Sequence, residues 1–177
     1  MALIGLKNLY YAKMTIGAND AESYGTPKKI GEAIEVDINP SSQTSNLYGD
    51  DMAVATDNSL TEIMVTIEIT ELSLEDQAAL LGHSYSSQDG LVANMSDRAP
   101  YVALLFESDK HKGGVRCTKY MKGKFSPTQS TTRTRGEQLE YQTPKLTGTF
   151  VANAAGVWKK EKDFADGADT SSWYESV

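Results

Sequence analysis

Period-two alternation of apolar and polar residues runs along most of the chain, the pattern of half-buried β-strands. The clearest instance is Leu60 to Thr70. Ile63, Val65, Ile67 and Ile69 fall on one face, and Glu62, Met64, Thr66, Glu68 and Thr70 on the other. A helix would scatter those four β-branched residues around its axis. Ile34, Val36 and Ile38 repeat the pattern with Glu35 and Asp37 opposite, and Pro40 closes that strand because proline cannot donate to a ladder. Leu9 to Ile16 reads as a first strand. Tyr101 to Glu107 is more continuously apolar, which predicts cover on both sides. In Val115 to Phe125 the alternation places Val115, Cys117, Lys119, Met121 and Phe125 on one face. Arg116, Thr118, Tyr120, Lys122 and Lys124 line the other. Gln138 to Ala152 is the last long strand, and Pro144 near its start predicts an edge position or a bulge.

One helix is well signalled. Ser73 is a good N-cap with Asp76 three residues on, and Glu75 and Asp76 occupy the first turn, where the helix dipole favours negative charge. Leu74, Ala78 and Leu81 give an apolar stripe, and Gly82 is a natural stop. A helix this short must dock on the sheets to persist. Two polar stretches, Ser41 to Asn58 and Ser126 to Gly136, read as long loops, the second as the tip of a hairpin. No internal repeat or linker divides the chain.

Composition narrows the class. The 177 residues are 40% hydrophobic with 14 Gly, inside the globular range and suited to one domain. The longest unbroken apolar run, Tyr101 to Phe106, falls far short of the ~20 residues a membrane-spanning helix needs. The start, Met1-Ala2-Leu3-Ile4-Gly5-Leu6-Lys7, does not read as a signal peptide. A single cysteine, Cys117, excludes an internal disulfide framework, and folding in a reducing cytoplasm is expected.

Charge is unevenly spread. Residues 1–109 hold 5 basic and 17 acidic side chains, residues 110–136 hold 8 basic and none acidic, and residues 137–177 hold 4 basic and 7 acidic. Such asymmetry calls for a partner of opposite sign: nucleic acid, another copy of the chain, or the chain itself. The net charge of −7 argues against a general DNA binder.

Catalytic signatures are missing. There is no phosphate-binding loop, no Gly-x-Gly-x-x-Gly and no Gly-x-Ser-x-Gly elbow. His83 and His111 lack paired ligand spacing, and His83 beside Gly82 reads as a capping or surface residue. Cys117 lies on an apolar strand face and reads as a buried structural thiol. Asp50-Asp51 alone is a weak cation signal. No enzymatic activity and no cofactor are expected.

The run Gly5-Leu6-Lys7-Asn8-Leu9-Tyr10-Tyr11-Ala12 resembles the start of major tail tube proteins of long-tailed bacteriophages and prophages, particularly those of Gram-positive hosts. The strand Ile34 to Ile38, the segment Leu47-Tyr48-Gly49-Asp50-Asp51, the strand Ile63 to Ile69 and the helix ending Leu80-Leu81-Gly82 are similar to the succession in that family. So are the two late strands. The likeness runs to about residue 155. It implies a mainly β fold, a β-sandwich or incomplete barrel with one short flanking helix and long loops, like the type VI secretion tube. Residues 1–155 would form the domain and 156–177 its C-terminal arm.

The resemblance also implies a structural virion protein, assembled in the host cytoplasm and resident in the virion tail. Rings of six would stack into a tube through which genomic DNA leaves without being specifically bound. Its partners would be itself, a tape measure protein and tail-tip or terminator proteins, with no membrane. A ring-forming terminator or connector, a tube subunit of a phage-tail-like bacteriocin, and a nucleic-acid-binding β-domain are the alternatives.

A tube needs two unlike patches that meet head to tail. Lys119, Lys122, Lys124, Arg133 and Arg135 are candidates to meet Asp50, Asp51 and Asp57 of an adjacent copy, fixing register by complementary charge. Trp158 and Trp173, set among charges, are candidate interface anchors. Glu35, Asp37, Glu62 and Glu68, on the polar faces of their strands, are candidate lumen-lining residues that would repel phosphate.

Overall fold

Ile63, Val65, Ile67 and Ile69 are fully buried, as their alternation predicts, and the sheet is organised around them. The computed structural model describes residues 2–49, 52–127, 134 and 142–177. Its strands are β1 (Leu3–Ile16), β2 (Glu22–Tyr24), β3 (Lys28–Lys29), β4 (Ala33–Gly49), β5 (Met52–Ile69), β6 (Ser84–Ser86), β7 (Gly90–Val92), β8 (Val102–Lys110), β9 (Val115–Ser126), β10 (Lys145–Val151) and β11 (Lys159–Phe164). The helices are α1 (Leu74–Leu81) and the short α2 (Ser171–Tyr174).

Nine strands form one antiparallel sheet in the order β2-β1-β8-β9-β10-β5-β4, with β3 also on β1 and β11 also on β9; β6 and β7 form a separate hairpin. The sheet curls around a core in which Leu9 and Tyr11 of β1, Leu104 and Phe106 of β8, Phe150 of β10 and the four β5 residues pack together, closed by Leu80 and Leu81 of α1. The fold is mainly β with short helices, as expected.

The helix is built as its sequence predicts. Ser73 Oγ accepts the Asp76 backbone N–H at 3.1 Å, and the Gly82 N–H donates to Ala78 O. Gly82 is left-handed (φ 77°), and a Cβ there would meet the Arg98 carbonyl oxygen at 2.2 Å, so only glycine fits. The buried face differs from the expected stripe: Leu80 is fully buried while Leu74 is exposed. Asp76 is also buried, accepting from Tyr11 Oη at 3.0 Å and pairing with Lys28 Nζ at 2.9 Å. Burial pushes its carboxyl up, but hydrogen bonds from Ser73, Lys28 and Tyr11 outweigh that and leave the pKa lowered.

Strand β9 departs from simple alternation. Val102 of β8 pairs with Gly123, yet Leu104 pairs with Tyr120, so β9 spends one extra residue between those rungs. This bulge inverts the face parity. Tyr120 and Phe125, expected on opposite faces, both enter the main core. Past the bulge, Gly123 and Phe125 of β9 stand directly opposite Phe150 and Gly148 of β10. The two pairs are reciprocal: a Cβ on Gly123 would lie 2.4 Å from the Phe150 ring, and one on Gly148 would lie 2.9 Å from the Phe125 ring. The rings themselves meet edge to face at 5.8 Å.

Strand β8 is buried on both sides, as its apolar run predicts. Val102, Leu104 and Phe106 face the main core, while Ala103 and Leu105 join Ala12 in a second cluster. The C-terminal arm covers that second cluster with Tyr174 and Val177. Tyr174 sits on Tyr10 with ring centroids 4.6 Å apart. Beneath the arm Glu107, 2% exposed, accepts from Thr170 Oγ1 at 2.6 Å and Asn8 Nδ2 at 2.9 Å, so the buried carboxylate is satisfied. Lys119 is 5% exposed, donates to the Ser176 carbonyl and lies 4.2 Å from the Trp173 ring centre.

Two expected features change. Pro40 does not end its strand, because β4 continues to Gly49, and residues 41–48 and 52–58 are strand where a loop was expected. The last core strand begins at Lys145; Pro144 precedes it, accepting the Ile69 N–H through its carbonyl. Most of the expected tip at 126–136 lies outside the described residues.

Two outcomes follow from this packing. Gly123→Ala, which drives a methyl into the Phe150 ring, should lower unfolding stability by about 1–3 kcal/mol in urea titration. Burial, reinforced by the nearby Lys160 charge, lowers the Lys119 pKa from 10.5 to about 8. A lowered lysine pKa means that docking the arm disfavours the proton, so docking is weakest below pH 8 and tightens as pH rises toward 10.5. Urea unfolding followed by tryptophan fluorescence should show the wild-type arm gaining stability between pH 7 and pH 9, and Lys119→Met losing that gain.

Candidate assembly surfaces

The body of the sheet ends before the β4–β5 hairpin does. β10 pairs only with residues 63–68 of β5, whereas the β4–β5 ladder continues through Ser42↔Leu60, Ser45↔Asp57 and Leu47↔Ala55 to Gly49↔Met52. Among the described residues, 41–49 and 52–62 therefore pair only with each other. At about 3.3 Å per residue they project about 30 Å. Leu47, Tyr48, Met52 and Val54 gather near the tip and are 66–72% exposed. Leu47 and Tyr48 flank a register shift, pairing with Ala55 and Ala53, and both side chains are exposed. Scattered exposed apolar residues need no explanation, but four together on a bare ribbon mark an interaction surface. The sequence held one signal for this arm: Gly49-Asp50-Asp51 sits between the strand-forming residues Leu47-Tyr48 and Met52-Ala53-Val54. Asp50 and Asp51 themselves lie outside the described residues; Asp57 is exposed on the arm.

The four candidate lumen residues share the outer face of β4–β5. Glu35 stands opposite Glu68, Asp37 opposite Thr66, and Glu62 opposite Ser41. Lys145 continues the first of these rows and pairs with Glu68 at 2.8 Å. The Lys145 contact, then a hydrogen bond from Thr143, holds the Glu68 carboxyl below its ordinary range. Ile34, expected inward with Val36 and Ile38, is 47% exposed, because a bulge between Ala33 and Glu35 turns it out and sends Ala33 to the core.

The basic candidates are placed differently from one another. Lys119 lies under the chain's own C-terminal arm. Lys122 pairs with Glu22 at 2.7 Å, and Lys124 lies 4.2 Å from the Tyr101 ring centre. Arg133 and Arg135 lie outside the described residues. Nearby, Arg116 makes a two-pronged contact to Asp163 at 2.8 and 3.1 Å, fastening β11 to β9. Trp158 packs on the main core beside Tyr120, and Trp173 meets Phe164 edge to face. Both indoles thus sit against the chain's own sheet.

Reactive chemistry has little to work with. Burial, then the charge of Glu107, pushes the Cys117 thiol up to about 12, far from a reactive thiolate. His83 Nδ1 lies 2.8 Å from Asp97, which also accepts the Asn94 N–H, a contact that closes the loop after β7. Among the described residues no three His, Cys, Asp or Glu side chains gather as a metal site, and no helix is long and apolar enough to cross a membrane.

The geometry is that of a building element: a packed body, a bare acidic and apolar ribbon, and a C-terminal arm folded onto the sheet. A comparison with curated proteins finds no match. The sequence model of the family described as phage tail tube protein matches residues 35–174, from the start of the projecting hairpin to the end of α2. The chain therefore belongs to the phage tail tube protein family, a structural family of the virion tail.

Proposed function

We propose that this chain polymerises with itself into rings, six copies to each, that stack head to tail as the tail tube, the conduit for DNA ejection. The projecting β4–β5 arm is the observation that carries this reading. An isolated two-stranded ribbon is marginal in water, and its open edges invite pairing. A neighbouring copy would supply the missing cover, as a heterologous contact that repeats without closing. Of the basic candidates, Lys124 would meet acidic residues such as Asp57 of another copy, as would Arg133 and Arg135, which lie outside the described residues; Lys119 and Lys122 are engaged within the chain. The outer face bearing Glu35, Asp37, Glu62 and Glu68 would line the channel, since acidic side chains repel phosphate. Tape measure and tail-tip or terminator proteins would contact the ends of such a tube.

Deleting residues 43–58 removes only self-paired ribbon. The shortened protein should remain folded by circular dichroism and stay monomeric where the wild type forms tubes in electron micrographs. Normal tubes from the deletion would refute the role of the arm. Glu35→Lys with Asp37→Lys should leave tubes intact while particles carrying them eject DNA more slowly; unchanged ejection would remove these residues from the channel wall.

A further inference from the structure

Glu107 of β8 is the most deeply buried acid among the described residues, and none of their ion pairs reaches it. Its charge is met instead by donors from the two ends of the chain. Oε1 accepts from Thr170 Oγ1 of the C-terminal arm at 2.6 Å, with the weak Cys117 thiol at 3.8 Å. Oε2 accepts from Asn8 Nδ2 of β1 at 2.9 Å. A carboxylate this deep depends on its donors, because each one lost leaves a charged oxygen with neither water nor partner.

Both ends that it holds are lightly fastened. Asn8 is left-handed (φ 55°) and sits in a bulge, since between Lys7↔Glu107 and Tyr10↔Leu105 β1 spends one residue more than β8. A second bulge, with Gly5 at φ 74°, lies between Ile4 and Leu6. Residues 3–7 include no buried side chain, and their ion pair, Lys7 on Asp109 at 2.7 Å, is exposed and worth little. At the other end, α2 has no buried residue and no side-chain cap. Gly167, in the link from β11, is left-handed with open space around it. Tyr174 of the arm also lies on Tyr10, just past the Asn8 bulge.

We infer that Glu107 is an interlock: the C-terminal arm and the N-terminal strand seat through one carboxylate, so the two ends of the chain dock and release as a unit. When the arm lifts, Thr170 is withdrawn, the carboxylate turns to the water let in, and Asn8 loses the bond that holds its left-handed turn. Residues 3–7 then leave β8. Among the described residues, β8 at 107–110 has β9 on one side and only these residues on the other. The coupling is reciprocal, since whatever unseats Asn8 weakens the arm by the same free energy. A contact made by either terminus thereby decides whether the β8 edge is closed or open to a new strand. The interlock works within one subunit and does not rest on the stacking proposed above.

Hydrogen–deuterium exchange of the purified full chain, read by mass spectrometry, tests it. Thr170→Val removes one donor from a partly exposed position. It should raise exchange about tenfold at residues 3–7 as well as in the arm, with β5 residues 63–69 unchanged. Asn8→Gly keeps the left-handed backbone and removes the other donor, and should raise exchange at residues 170–177. The two together should loosen either end no further than the stronger single change, because one lost donor already opens the interlock. Loosening by Thr170→Val that stops at the arm, or no loosening at either end, overturns the inference. So do additive effects in the double variant, and so does a rise shared by β5, which reports global unfolding.

Discussion

A β-ribbon needs cover on its faces and partners on its edges, and the subunit supplies them for only part of β4 and β5. Residues 63–69 have β10 beside them and a core beneath them; among the described residues, 41–49 and 52–62 have only each other. The rest of the architecture works around this imbalance. In the body, the four buried β5 residues, the reciprocal glycine–phenylalanine pairs and the capped helix all point to one packing. Among the described residues the arm has no such reinforcement, and in the proposed tube a second copy would supply it.

The parts legible in the sequence were those where one local rule acts alone. α1 was readable because Ser73 and Gly82 bracket it and neither signal depends on tertiary structure. The core face of β5 was readable because four β-branched residues alternate without interruption. Strand β9 departs from its period past Tyr120, since a bulge is set by the partner strand and leaves no mark in a period count. The arm was misread as loop because its polar residues carry no buried face to alternate with. Strand there is held by cross-strand pairing alone, as between Thr44 and Asn58. Lys119 reads as a contact to another copy because nothing local signals that the chain's own last residues return to cover it.

The same return explains much of the uneven charge. Three of the eight basic residues at 110–136 have their countercharge inside the chain: Lys110 and Arg116 on Asp163, and Lys122 on Glu22, more than forty residues away in each case. Asp163 sits between two cations, with Arg116 the closer, which drops its pKa to about 2 and keeps it ionised through the whole working range. These contacts fasten β11 and the start of β2 onto β9. A charge segregation that suggested partners between copies is therefore in good part a device for registering the chain against itself.

That internal use of base changes what the open outer face presents. Over β8 and the first half of β9 the outer face is occupied by the C-terminal arm, so a channel wall could be drawn only from β4, β5, β10 and the end of β9. There Lys145 is matched by Glu68 and Lys122 by Glu22, whereas Glu35, Asp37 and Glu62 have no ion-pair partner among the described residues. Lys124, over the Tyr101 ring, is the nearest opposing cation. The remaining excess is negative. In the proposed tube such a face would repel a passing polyphosphate where a basic wall would grip it, so burying lysine under the arm and pairing it inside the subunit would serve passage as well as folding.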